Sequence, residues 1–153
     1  MLAIGERAPD VFLKPLDGEL PEFQLRLPAA PTVLTFFTVD CPTCRLALPF
    51  LDRIARGDGL RICGVSQDSA EETAGSSRQL GLRHLETLLD EPPHLASRAF
   101  QVSIVPSLFV IERNQTISKA AQGFLKADFE ELGNRAGVQV FTETDRVPLL
   151  RPG

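Results

Sequence analysis

The order of apolar runs along the chain predicts an α/β sandwich, a mixed central β-sheet flanked by helices on both faces and preceded by an N-terminal β-hairpin. Three observations carry this expectation. Residues 32–38 are rich in β-branched and aromatic side chains and are apolar on both faces, as a central strand of a parallel sheet is. Directly behind them Leu46, Phe50 and Ile54, and with them Ala47, Leu51 and Ala55, recur at helical spacing. A second buried run, residues 60–65, completes a β-α-β unit.

The remaining elements follow in order. Residues 1–31 contain Pro9, Pro15, Gly18, Pro21, Pro28 and Pro31. Val11-Phe12-Leu13 reads as a short edge strand, Asp17-Gly18 as a turn, and residues 23–27 alternate, which together predict the hairpin. Pro42 suits the first turn of the helix behind residues 32–38. Pro49 is expected to kink it, and Gly57-Asp58-Gly59 to end it. Ser69 or Asp68 caps a helix through about Leu80 that Gly81 stops. Residues 85–89 predict a short strand and residues 95–100 a short helix after Pro92-Pro93. Residues 107–111 and 116–120 flank residues 112–115 in a hairpin pattern. Phe124-Leu125 leads into a helix to about Arg135, stopped by Gly137. One domain over residues 1–137 is expected, with residues 138–153 as an extended C-terminal arm.

Composition narrows the function classes. The chain has 153 residues, 43% of them hydrophobic and 24% charged, an ordinary globular mixture rather than a disordered one. The net charge is −4 and no basic stripe is visible, which argues against a nucleic-acid partner. No apolar run approaches the ~18 residues needed to span a bilayer. The N-terminal residues lack the basic and apolar regions of a signal peptide, and a cytoplasmic location is expected. Three cysteines are too few for a secreted disulfide scaffold.

Two of those cysteines carry the chemistry. Cys41 and Cys44 are separated by two residues, Pro42 and Thr43, at the junction of a buried strand and a helix. Unpaired N–H groups and the helix dipole favour negative charge at that junction, so a thiol there loses its proton more readily. Cys44 lies one turn further in, where it attacks Cys41 once Cys41 has joined a partner's sulfur. Half a zinc site is a rival reading, with Cys63, His84 and His94 as the remaining ligand candidates, none in a paired spacing. Two buried structural cysteines is the other. Elsewhere Cys63 reads as a small core hydrophobe, and Phe36 and Phe37 as core residues. His84 and His94 read as surface or capping residues, Asp90-Glu91 as a solvated turn, and Arg45 as a surface cation.

Several motifs in order resemble the thioredoxin superfamily, in particular thiol–disulfide oxidoreductases of the TlpA/ResA type, which are related to the AhpC/TSA peroxiredoxin group. The likeness covers about residues 3–136. Residues 4–13 resemble the family's opening, Cys41-Pro42-Thr43-Cys44-Arg45 its redox motif, and Pro49 the kink of its active-site helix. Gly64-Val65-Ser66-Gln67-Asp68 resembles the strand before its inserted helix, and Gly123-Phe124 the glycine before its last helix. Val105-Pro106-Ser107 resembles the loop that holds its cis-proline. The resemblance implies a thioredoxin-like fold with Val105–Pro106 cis beside the sulfurs, turning the backbone so that Val105 pairs with an extended substrate. Cys41 and Cys44 are then the catalytic residues, and Pro42, Thr43, Val105 and Pro106 bind substrate. No metal or cofactor is implied.

The departures from the pattern matter as well. Asp40 stands where the family usually has Trp, and its charge opposes a thiolate next door unless it points away or pairs with Arg45. Ala47 stands where the TlpA/ResA type carries Glu, and Thr35 where ordinary thioredoxins carry a buried Asp, so neither proton acceptor is present. The favoured function is reduction of protein disulfides at Cys41 and Cys44, recycled by a separate electron-donating reductase. A peroxidase is the alternative, because Thr38-Val39-Asp40-Cys41 also resembles the Thr-x-x-Cys part of the peroxiredoxin motif. In that reading Cys41 becomes a sulfenic acid and Cys44 condenses with it. Against it, Leu34 replaces an expected Pro and no arginine is assigned to the sulfur. A redox-sensing binding module without catalysis is the third reading.

Overall fold

A computed structural model describes all 153 residues. Strands β1 (Val11–Pro15) and β2 (Phe23–Leu25) form the antiparallel hairpin expected from Asp17-Gly18. Val11 and Leu13 face inward while Phe12 is exposed, the period-two pattern of a half-buried strand. Strand β3 (Thr32–Phe37) is buried along its whole length and runs into helix α1 (Pro42–Ile54). Strand β4 (Arg61–Ser66) lies parallel to β3 and is followed by helix α2 (Ala70–Leu80). Ser69 caps α2 through the Glu72 N–H, and Gly81 ends it in the left-handed conformation. Strand β5 (Glu86–Leu89) runs parallel to β4, and the short helix α3 (Leu95–Ala99) comes next. Strands β6 (Ser107–Ile111) and β7 (Ile117–Gln122) form the second hairpin. Strand β8 (Phe124–Leu125), helix α4 (Lys126–Ala136) and strand β9 (Leu150–Arg151) complete the chain.

Seven strands make one mixed sheet in the order β2-β1-β5-β4-β3-β6-β7. It is flanked by helices and is thioredoxin-like. Successive residues of β3 feed two different cores. Val33 and Phe37 pack with Leu48, Leu51, Phe124 and Phe129 on the α1/α4 face. Leu34 and Phe36 pack with Ala96, Phe100 and Phe109 on the α3 face. The Phe100 and Phe109 rings lie 4.8 Å apart, beside Phe36. Because β6 runs antiparallel to β3, the start of β6 sits next to the end of β3. This topology alone brings residues 104–106 beside the start of α1.

The structure corrects three expectations. Strand β1 is not at an edge, since it pairs with β2 at residues 11–13 and with β5 at residues 14–15; the edge is β2. The second hairpin's return strand begins at Ile117, because Thr116 instead bridges to Arg7. Gln115, at the end of that hairpin's turn, is fully buried, and its amide reaches the Ala8 and Leu25 carbonyls. Asp90 is no solvated turn residue. It is buried, and its carboxylate accepts from the Ala96 and Ser97 N–H groups and the Ser97 hydroxyl, so it caps α3 from six residues upstream.

Residues 138–153 pack against the domain. Val140 is buried in the α1/α4 core and Phe141 lies 4.8 Å from Phe50. Arg53 on α1 forms a two-pronged pair with Asp145 at 2.6 and 3.2 Å and also donates to the Val140 carbonyl. That guanidinium holds the Asp145 carboxyl well below the usual carboxylate range.

Candidate active site

Cys41 occupies the N-cap of α1, with extended backbone angles of −77° and 116°. In that position its sulfur takes the role a serine oxygen usually plays, and the Cys44 N–H points at it from 3.1 Å. Pro42 fills the first helical position, where its missing N–H costs nothing, and is exposed. Pro49 lies inside α1, and the helix continues past it to Ile54.

The two sulfurs differ in access. Cys41 is partly exposed, whereas Cys44 is 0% exposed beneath it. Burial pushes the Cys44 thiol far above its ordinary value, and the neighbouring Cys41 adds to the effect. No carboxylate figures among the groups that shift it. Thr35, on the same sheet face, has a buried hydroxyl without a protein partner.

The second wall of the site is the turn into β6. Val105–Pro106 is cis, as the resemblance implied. The Cys41 thiol donates to the Val105 carbonyl at 3.6 Å, and Pro106 is buried beside it. The Val105 N–H has no acceptor in the protein. Thr43 is buried, and its hydroxyl donates to the Pro152 carbonyl at 2.7 Å. The structure therefore gathers Cys41, Pro42, Thr43, Cys44, Val105 and Pro106 in one place.

Other candidates fall elsewhere. Cys63 is fully buried on the opposite face of the sheet from Cys44, with its thiol against Glu86, and burial raises its pKa. His84 is exposed, and His94 is turned toward the Asp90 carbonyl, so neither joins the pair. Asp40 is exposed and unpaired with Arg45, whose guanidinium reaches the Val39 carbonyl and Gln79 instead.

Two acids that tie neighbouring elements together escaped sequence reasoning. Asp68, read as a possible helix cap, accepts the Val39 N–H at 2.7 Å and so ties the loop before Cys41 to the end of β4. Asp52, on the buried side of α1, accepts three successive N–H groups from Arg83, His84 and Leu85 at 2.8–2.9 Å. Its one legible signal is an acid sitting between Leu51 and Ile54 in an otherwise apolar helix face.

Comparison with known proteins agrees with this architecture. No curated protein matches the sequence. The thioredoxin domain of a thiol-disulfide oxidoreductase from Bacteroides vulgatus superposes with a TM-score of 0.75 at 18% identity, covering 88% of this chain and 98% of that one. A thioredoxin-family thiol:disulfide interchange protein from Chlorobium tepidum gives 0.70 at 22% identity, over 89% and 99% of the two chains. StoA from Bacillus subtilis gives 0.70 at 17% identity, over 84% and 96%. The fold is thus shared with these proteins. A family model matches residues 4–120, which include the whole Cys41–Pro106 constellation, and by that match the chain belongs to the AhpC/TSA family.

Proposed function

We propose that this protein reduces protein disulfides by dithiol–disulfide exchange at Cys41 and Cys44. The observation that carries the reading is the pairing of an accessible sulfur with a buried one, joined by the Cys44 N–H at 3.1 Å. The Cys41 thiolate attacks one sulfur of the substrate disulfide, forms a mixed disulfide and releases the other sulfur as a thiolate. Cys44 then gives up its proton and attacks Cys41, releasing the second substrate thiolate and closing a Cys41–Cys44 disulfide. The substrate gains two electrons and two protons, and the pair loses them. The proposed donor that restores the dithiol is a separate reductase, and the proposed setting is the cytoplasm, where thiols are kept reduced. No helix is long and apolar enough to cross a membrane.

The N-cap geometry gives Cys41 its acceptor role, and Val105, whose carbonyl takes the Cys41 thiol, offers an open N–H for pairing with the substrate backbone. Arrest of the second step tests the first. With Cys44→Ser, the reduced protein exposed to a disulfide-bearing protein is expected to hold a covalent partner on Cys41, read by intact-mass spectrometry. Absence of any adduct would sink the reading.

Family membership and the Thr38-x-x-Cys41 spacing favour a second reading, a thiol peroxidase. The sulfur's polar contacts are the Cys44 N–H and the Val105 carbonyl, and Arg45 is directed to Val39 and Gln79. Fast, selective sulfenic acid at Cys41 on treating the same variant with hydrogen peroxide would favour it over exchange.

The pH dependence of resolution has a definite sign. Burial is the largest cause of the raised Cys44 pKa, so little Cys44 is ionised near neutrality. Raising pH increases the thiolate fraction about tenfold per unit while pH stays below that pKa. Resolution of a preformed mixed disulfide is therefore expected to accelerate by about that factor per unit between ~pH 7 and ~pH 9. Acid quench and alkylation measure it, and a flat profile would show that another group takes the proton.

A further inference from the structure

We propose that residues 149–153 occupy the place where an extended substrate would lie against Val105. The chain's own strap then competes with polypeptide disulfides for the sulfur pair and leaves small disulfides unhindered. This rests on the exchange chemistry above and goes beyond it, by assigning the site a built-in determinant of substrate size.

The strap reaches the site through backbone contacts. Gly123, just before β8, donates its N–H to the Pro106 carbonyl at 2.8 Å, so β8 is attached to the loop that presents Val105. Leu150 and Arg151 of β9 pair with Leu125 and Phe124 of β8. Gly123 has a φ of +75°, and a β-carbon on it would fall 2.6 Å from the Arg151 carbonyl oxygen. The next residue, Pro152, takes the Thr43 hydroxyl on its carbonyl. Gly153 then lies on Val105. A β-carbon on Gly153 would fall 2.3 Å from the Val105 oxygen and 2.6 Å from Ile104 Cγ2, so only a residue without a side chain fits. That same oxygen receives the Cys41 thiol. The strap therefore bridges both walls of the site. An incoming strand meets an open Val105 N–H but a covered Val105 carbonyl.

Its attachment is of a kind that yields. Upstream, Val140 is buried and Asp145 is held by Arg53. From residue 149 onward every side chain is exposed, Leu149 at 76% and Leu150 at 62%. The hold is the two-residue ladder, the Lys126 N–H to the Leu149 carbonyl, and the Thr43 bond. Residues 149–153 can leave the site while the anchor at Val140 and Asp145 stays in place.

The test compares the wild type with Gly153→Val and with a variant lacking residues 149–153. Each is pre-reduced and mixed in single turnover with insulin, a polypeptide disulfide, or with bis(2-hydroxyethyl) disulfide, a small one. Closure of the Cys41–Cys44 disulfide is read by alkylation and mass spectrometry. If the strap competes, both variants oxidise roughly three- to tenfold faster on insulin, as removal of a non-competent population requires, with no change on the small disulfide. Unchanged insulin rates overturn the proposal. A parallel fall in both rates also overturns it, because the strap would then be bracing α1. Failure of the wild type on both substrates would instead sink the exchange reading, and the proposal with it.

Discussion

Cys41→Ser is expected to abolish disulfide exchange, lowering the single-turnover rate by a factor on the order of 10³ or more. A hydroxyl does not ionise near neutrality, and the N-cap position that serves a thiolate cannot make an alkoxide of it. The substitution should leave the fold intact, because serine is a favoured N-cap residue and its oxygen accepts the Cys44 N–H as the sulfur does. Loss of activity with an unchanged unfolding midpoint therefore isolates chemistry from stability. Cys44 does not stand in for Cys41, since it is buried and its thiol is held protonated. Retention of more than about a tenth of the rate on any disulfide would move the nucleophile elsewhere.

The second large effect is on stability. Asp52→Ala is expected to cost about 3–5 kcal/mol, a large share of the ~5–15 kcal/mol that holds a domain folded. One carboxylate oxygen satisfies the N–H groups of Arg83, His84 and Leu85, and alanine removes the acceptor from all three, that of Leu85 in a buried setting. The segment involved leads directly into β5, so its release also loosens the sheet. Asp52→Asn keeps an acceptor and should recover part of the loss. Asp58→Ala, at an exposed position, should change stability by less than about 0.5 kcal/mol. Urea unfolding followed by far-ultraviolet circular dichroism measures all three, the chain having neither Trp nor Tyr for fluorescence. An Asp52→Ala midpoint matching that of Asp58→Ala would refute the role assigned to the carboxylate.

Legibility in the sequence followed the range of the interactions. Apolar runs, helical repeats and helix caps and stops are local, and they place β3, α1, β4, α2 and α4 within a residue or two of their observed bounds. The Cys41–Cys44 junction is also local, because a buried strand, a capping position and a proline at the helix start lie within a few residues. That Val105 and Pro106 meet the sulfurs depends on β6 pairing beside β3, and resemblance rather than periodicity suggested it. Asp52 and Asp90 were illegible in their roles for a different reason. Each serves backbone groups of another element, and those groups look the same in every sequence. The course of residues 138–153 was hidden likewise, since their hold rests on Phe50, Arg53, Thr43 and Gly123, spread along the chain.

The central sheet has a further consequence as a partition. It stands between Cys63 and the exchanging pair, with strand backbone and packed side chains filling the space. A bond from Cys63 to either of the others cannot form while the strands hold. Such a bond, found in a purified or stressed sample, is therefore a record of molecules that came apart and closed again wrongly. The third sulfur thus serves as a chemical tally of failed folding, distinct from the oxidation that turnover produces.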